Sequence, residues 1–127
     1  MRLFKPRFAT LVELGAKKQT VRPTPLRKPK PGDRISLRQW SGKPYRSKQV
    51  TLREATVVAV EPCEITTTSV RVGPFDESPE MFARADGFAS WDDMRQWFER
   101  EHGLPFQGIL IGWQNDQVER MPQKGSD

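Results

Sequence analysis

Four prolines within nine residues, Pro23, Pro25, Pro29 and Pro31, set the strongest limit on how this chain can fold. Each fixes φ and removes a backbone donor, so the stretch PTPLRKPKP can be neither a helix nor an inner strand. It reads as an extended basic loop, and regular structure must lie on either side of it. Before it, Phe8, Leu11 and Val12 have the spacing of a short amphipathic helix, with Gly15 placed to end it. Residues 17–22 (KKQTVR) read as a turn entering a strand. After the loop, Gly32–Asp33 turns the chain into a strand over 34–40, with Ile35 and Leu37 on one face.

Further along, residues 41–48 read as a polar hairpin or loop. Residues 50–60 and 65–72 are rich in Thr and Val and suit strands broken near Pro62. Residues 73–79 read as a loop. Ser90 is an N-cap, Asp93 stands in a capping-box-like position, and Trp91, Met94, Trp97 and Phe98 follow at helical spacing up to Gly103. Phe106 to Trp113 is an apolar run that suits a central strand. The order helix, strands, helix, strand gives an α+β fold with a mainly antiparallel sheet, and a sheet this small gains by curling into a barrel. Residues 1–114 are expected to form one domain and 115–127 a polar, flexible tail.

Composition narrows the function classes. A chain of 127 residues with 35% hydrophobic residues fits one compact core. It has no apolar run long enough to span a membrane and reads as having no signal peptide. One Cys and one His cannot make a Cys/His zinc site or a two-histidine ribonuclease, so no metal or cofactor is expected. The lone Cys63 cannot form an internal disulfide and suits a reducing cytoplasm. Residues 1–53 carry 15 Lys/Arg against Glu13 and Asp33, while residues 54–127 carry 6 against 14 Asp/Glu. So steep an asymmetry points to a phosphate-seeking face and hence to RNA or a nucleotide as partner. The plainer account is that the two halves intermix in space and neutralise one another.

Several segments together are similar to the ASCH domain family, relatives of the RNA-binding PUA domains. They are Gly15-Ala16-Lys17-Lys18-Gln19-Thr20-Val21-Arg22, Lys30-Pro31-Gly32-Asp33, Ala85-Asp86-Gly87-Phe88, Trp97-Phe98, His102-Gly103 and Ile111-Gly112-Trp113. The resemblance implies a PUA-like β-barrel flanked by short helices, with a cleft lined by the first segment. It also implies RNA or a modified nucleoside as ligand. Some relatives hydrolyse the acetyl amide of N4-acetylcytidine, and others have ribonuclease activity.

On that reading Lys17 is a general base, Thr20 a nucleophile and Asp86 a proton shuttle, with Lys18 and Arg22 lowering the pKa of Lys17. Asp86 stands where the amidohydrolase relatives have Glu, one methylene longer. The alternatives stay open here. Thr20 can be an ordinary β-branched strand residue, and Asp86-Gly87 a turn. Lys17, Lys18, Arg22, Arg27, Lys28, Lys30, Lys43 and Arg46 are candidate RNA contacts. Trp40 and Tyr45 lie among basic residues, where they either stack on bases or pack on the barrel. Truncating Lys17 or Arg22 is expected to weaken binding with little loss of stability. Helical spacing assigns Trp97 and Phe98 to the core, and His102 to a helix end that favours a cation. The leading expectation is an RNA- or nucleotide-binding domain. The rivals are a hydrolase and a protein-interaction module docking through its basic loop. The sequence leaves the oligomeric state undetermined.

Overall fold

The computed structural model describes residues 2–40 and 48–115. The chain starts with β1 (Arg2–Leu3) and enters α1 (Pro6–Leu14), where a proline at the first helical turn costs no hydrogen bond. Phe8, Ala9 and Val12 form its buried stripe. Gly15 ends it at φ +83°, and the amides of Ala16 and Lys17 both fold back onto the Leu11 carbonyl. That tight exit turns Lys17 inward before β2 (Gln19–Arg22) begins. The basic loop after β2 has no helix or strand until β3 (Arg34–Trp40).

One long strand, β4 (Gln49–Ile65), organises the sheet. It pairs antiparallel with β3 over its first half, with the short β5 (Val70–Val72) at its end, and with β7 (Phe106–Asn115) along most of its length. β6 (Phe75–Glu77) closes a hairpin with β5, β2 pairs antiparallel with β7, and β1 pairs parallel with β3. The result is an α+β fold with a mostly antiparallel sheet of seven strands. Among the described residues the ladder does not close, and β1 and β2 are both edges. A side chain spans them: Arg22 Nη2 of β2 donates to the Leu3 carbonyl of β1 at 2.8 Å.

α2 (Pro79–Ala85) and α3 (Trp91–Glu101) pack on one another. Ser78 caps α2 by accepting from the Met81 amide, and Ser90 caps α3 by accepting from the Asp93 amide at 3.1 Å. The core joins the inner face of the sheet to α1 and α3 through Leu37, Val57, Ile65, Ile111, Val12, Met94 and Phe98.

Two readings of the sequence need correction, and one helix lies where none was assigned. β4 runs straight through Pro62. Its carbonyl accepts from the Gly73 amide, beyond the last residue of β5. A strand residue's nitrogen and oxygen point to the same edge, so the missing donor falls where that ladder has already ended. Residues 75–77 form a strand, not a loop. Residues 79–85 form a helix signalled by Ser78-Pro79-Glu80, a cap followed by a first-turn proline and acid. The expected hairpin at 41–48 lies outside the described residues except for Lys48. The strand assigned to 106–113 extends to Asn115, one residue past the expected domain end, and residues 116–127 lie outside those described.

Candidate functional site

A cavity of about 200 Å³ opens where the C-terminal part of α3 lies over the α1–β2 junction. Its walls are aromatic: Phe4, Phe8, Phe88, Trp97 and Phe98. The rings meet edge-on, with centroids 5.1 Å apart for Phe8 and Phe88 and 5.6 Å for Phe88 and Trp97. Three buried polar residues, Lys17, Thr20 and Asp86, line the same space.

Lys17 Nζ donates to the backbone carbonyl of Asp86 at 2.5 Å and lies 3.3 Å from its carboxylate. Both side chains are almost wholly buried, at 2% and 5% exposure. Gln19 Nε2 reaches the same carboxylate oxygen at 3.5 Å. The ammonium also lies 5.0 Å from the centre of the Phe8 ring. Burial is the largest influence on both groups: it pushes the Lys17 amine below, and the Asp86 carboxyl above, their ordinary values. Their mutual attraction opposes both shifts without reversing them. The sequence attributed a lowered Lys17 pKa to Lys18 and Arg22. Desolvation is instead the leading cause, with Arg22 a minor one.

Thr20 Oγ1 accepts from Arg22 Nε at 3.1 Å. The Arg22 guanidinium therefore ties Thr20 to Leu3 while stacking 4.9 Å from the Phe4 ring. Arg22 is thus part of the cavity wall, a structural role that the sequence reading of it as a phosphate contact did not include. Lys17 Nζ has its hydrogen bond with Asp86, and that of Thr20 is with Arg22.

The other candidates lie elsewhere. Lys18 is exposed, and its carbonyl accepts from the Trp113 amide. Arg27, Lys28 and Lys30 are exposed on the proline-rich loop and do not line the cavity. Arg27 and Lys28 line a separate, shallower groove with Asp33 and Arg34. Trp40 ends β3, with its backbone paired to Gln49. Lys43, Tyr45 and Arg46 lie outside the described residues.

Trp97 packs against the core as its spacing predicted and also forms part of the cavity wall. His102 caps the C-terminus of α3, as expected. Burial, however, lowers its pKa below the ordinary value and so disfavours the cation, and its ring lies 4.9 Å from that of Phe106 at a tilt of 44°. Lys5 and Glu101 carry no signal in the sequence that marks them as site residues. They meet at 2.9 Å across 96 residues, and both line the cavity.

The charge asymmetry is partly consumed by folding. Lys5–Glu101, Arg7–Asp93 and Lys17–Asp86 each join the basic front half to the acidic rear half. Cys63 is buried, with its thiol pushed up to about 12 chiefly by desolvation, which keeps it protonated and inert. No helix among the described residues is long and apolar enough to cross a membrane. No cluster of metal-binding side chains occurs among them. Comparison of the chain with models of protein families, with curated proteins and with solved structures gives no match.

Proposed function

We propose that this chain is an ASCH-like domain that binds RNA or a nucleotide by taking one nucleoside unit into the aromatic cavity. The observation that carries the reading is the buried Lys17–Asp86 pair set among Phe4, Phe8, Phe88 and Trp97. A nucleobase has two π-faces for aromatic walls and an edge of mixed donors and acceptors. Lys17, Asp86 and Thr20 offer the complementary mixture. At about 200 Å³ the cavity is below the roughly 300–1,000 Å³ of drug-sized pockets, so it holds one such unit and no stacked run of bases. The exposed Arg27, Lys28 and Lys30 offer a phosphate backbone a second, sequence-independent contact. A PUA-like barrel accords with the Arg22–Leu3 bridge between the two sheet edges.

The experiment is a thermal-shift screen of the whole chain against nucleobases, nucleosides and short single-stranded RNAs, since a ligand of the folded state raises its melting temperature. A rise with at least one nucleoside or RNA, weakening as salt increases for the RNA, is the expected result. No rise with any member of the panel overturns the reading.

A hydrolase acting on an acylated cytosine nucleoside is the second reading. It is favoured by the proximity of an amine whose pKa burial lowers, a carboxyl and a hydroxyl in one cavity. It ranks second because Lys17 bonds to Asp86 and Thr20 to Arg22, so the base does not engage the hydroxyl. Release of cytidine from N4-acetylcytidine by the parent, lost in Thr20→Val, would reverse this order.

A further inference from the structure

The mouth of the cavity carries a carboxylate–ammonium pair at the C-terminal end of α3. Glu101 is the last residue of that helix, and Lys5 precedes the first turn of α1. Lys5 Nζ donates to Glu101 Oε1 at 2.9 Å and lies 5.4 Å from the centre of the Trp97 ring in the cavity wall. That hydrogen bond holds the Glu101 carboxyl below its ordinary pKa, so it is an anion at neutral pH. Among the described residues Oε2 makes no hydrogen bond, and a carboxylate has about four lone-pair positions. The negative end of the α3 dipole adds to the charge of Glu101. Lys5 is already neutralised by its partner. A phosphate is therefore poorly served at this rim, whereas a hydroxyl that donates to a carboxylate is well served.

We infer that Glu101, oriented by Lys5, accepts hydrogen bonds from the vicinal 2′- and 3′-hydroxyls of a ribose whose 3′-oxygen is free, as in a nucleoside, a 5′-nucleotide or the 3′ end of an RNA, so that the cavity selects ribonucleosides over their deoxy counterparts. The proposal rests on the reading of the cavity as a nucleoside site and names the sugar that it takes. Recognition of ribose hydroxyls by a carboxylate is established chemistry, and the 2′-hydroxyl is the group that separates RNA from DNA. The division of labour follows from position. The buried floor and aromatic walls hold the base, and the exposed rim reads the sugar.

The test is calorimetric titration of the whole chain with each bare nucleobase, the ribonucleoside, and its 2′-deoxy and 3′-deoxy forms, using the parent and Glu101→Ala. A hydrogen bond to a charged group is worth about a tenfold change in affinity or more. The parent is expected to bind the ribonucleoside at least about tenfold tighter than either deoxy form. In Glu101→Ala that preference disappears while affinity for the bare base is kept. The variant is expected to fold, because an exposed ion pair contributes little to stability. Equal affinity for ribo- and deoxynucleosides, or a preference that survives in Glu101→Ala, overturns this inference and leaves the nucleoside site standing. No binding of any base or nucleoside overturns both.

Discussion

Lys17 and Asp86, 69 residues apart, meet by two routes at once: the ammonium hydrogen-bonds the Asp86 backbone carbonyl and stands 3.3 Å from its carboxylate. The first contact survives any change of the Asp86 side chain, and the second does not. Removing one partner of a buried pair leaves an uncompensated charge and typically costs about 3–5 kcal/mol. Replacing both partners with apolar residues of similar volume is often neutral. Asp86→Leu and Lys17→Met are each expected to lose stability on that scale, while Lys17→Met/Asp86→Leu recovers most of it. Denaturant unfolding of the three variants checks the expectation. Additive losses in the double variant would show that the two side chains act independently.

The same pair makes stability depend on pH. Burial raises the pKa of Asp86 above its ordinary 3.8, so the folded protein holds that proton more tightly than the unfolded chain does. Its contribution is fully present below pH 3.8 and is lost as pH rises through the folded value. Lys17 runs the other way, with its pKa lowered from 10.5. Its contribution is fully present above pH 10.5 and is lost as pH falls through the folded value. Relative to Lys17→Met/Asp86→Leu, the parent should therefore be at its least favourable between these limits and should gain toward each extreme. Unfolding free energies measured across pH for both proteins test this, and parallel profiles would rule it out.

Local signals in the sequence were legible wherever one short segment decides the outcome. Gly15 ends α1, Ser90 starts α3 and the prolines exclude regular structure from 23–31, because each acts on backbone within a few residues of itself. That Lys17, Thr20 and Asp86 share one cleft was expected from the resemblance more than from periodicity, but their burial was not, since truncating Lys17 was expected to cost little stability. On a straight strand Lys17 and Thr20 would face opposite ways. Only the chain reversal at the Leu11 carbonyl brings them together. What escaped were relations across long separations. Pro62 is tolerated because β5 stops where it does, Arg22 is occupied because β1 lies beside it, and Lys5 finds Glu101 through the docking of α3. None of these leaves a mark in the neighbouring residues.

Gly87 offers a stringent test of how the floor of the cavity is built. It follows Asp86 at φ +96°, a conformation that side chains other than glycine rarely adopt. A methyl group there would lie 3.2 Å from both Lys17 Cδ and Phe8 Cδ1. Backbone strain alone costs about 1–2 kcal/mol. Relief by movement must displace Lys17 or the Phe8 ring. Gly87→Ala is therefore expected to lose at least about 1–2 kcal/mol and to weaken nucleoside binding beyond what the stability loss explains. Thermal unfolding and calorimetry on the same preparation separate the two effects. A variant that binds as tightly as the parent would show that the floor can shift without consequence.

Arg22 provides the last test, because its guanidinium joins three things that the sheet ladder leaves apart. Nη2 reaches the β1 carbonyl of Leu3, Nε reaches Thr20 Oγ1, and Cζ lies 4.9 Å from the centre of the Phe4 ring. A lysine could offer a charge but not this planar fork, so Arg22→Lys is not a conservative change. Hydrogen bonds from a charged donor contribute about 1.5–3 kcal/mol each. Exposure of the site to solvent reduces that figure, and Arg22 is half-buried. A loss of about 1–3 kcal/mol is expected for both Arg22→Lys and Arg22→Ala. The location of the damage is more telling than its size. Among the described residues β1 pairs with β3 through Arg2 and Leu3 alone, so without the clasp its release should precede global unfolding. The Phe4 amide, which donates to the Arg38 carbonyl at 2.8 Å, is the reporter. Its hydrogen exchange should accelerate in both variants while amides in the β4–β7 ladder keep the protection set by global stability. If the Phe4 amide slows or speeds only in step with those of β4 and β7, Arg22 stabilises the whole domain and does not clasp this edge.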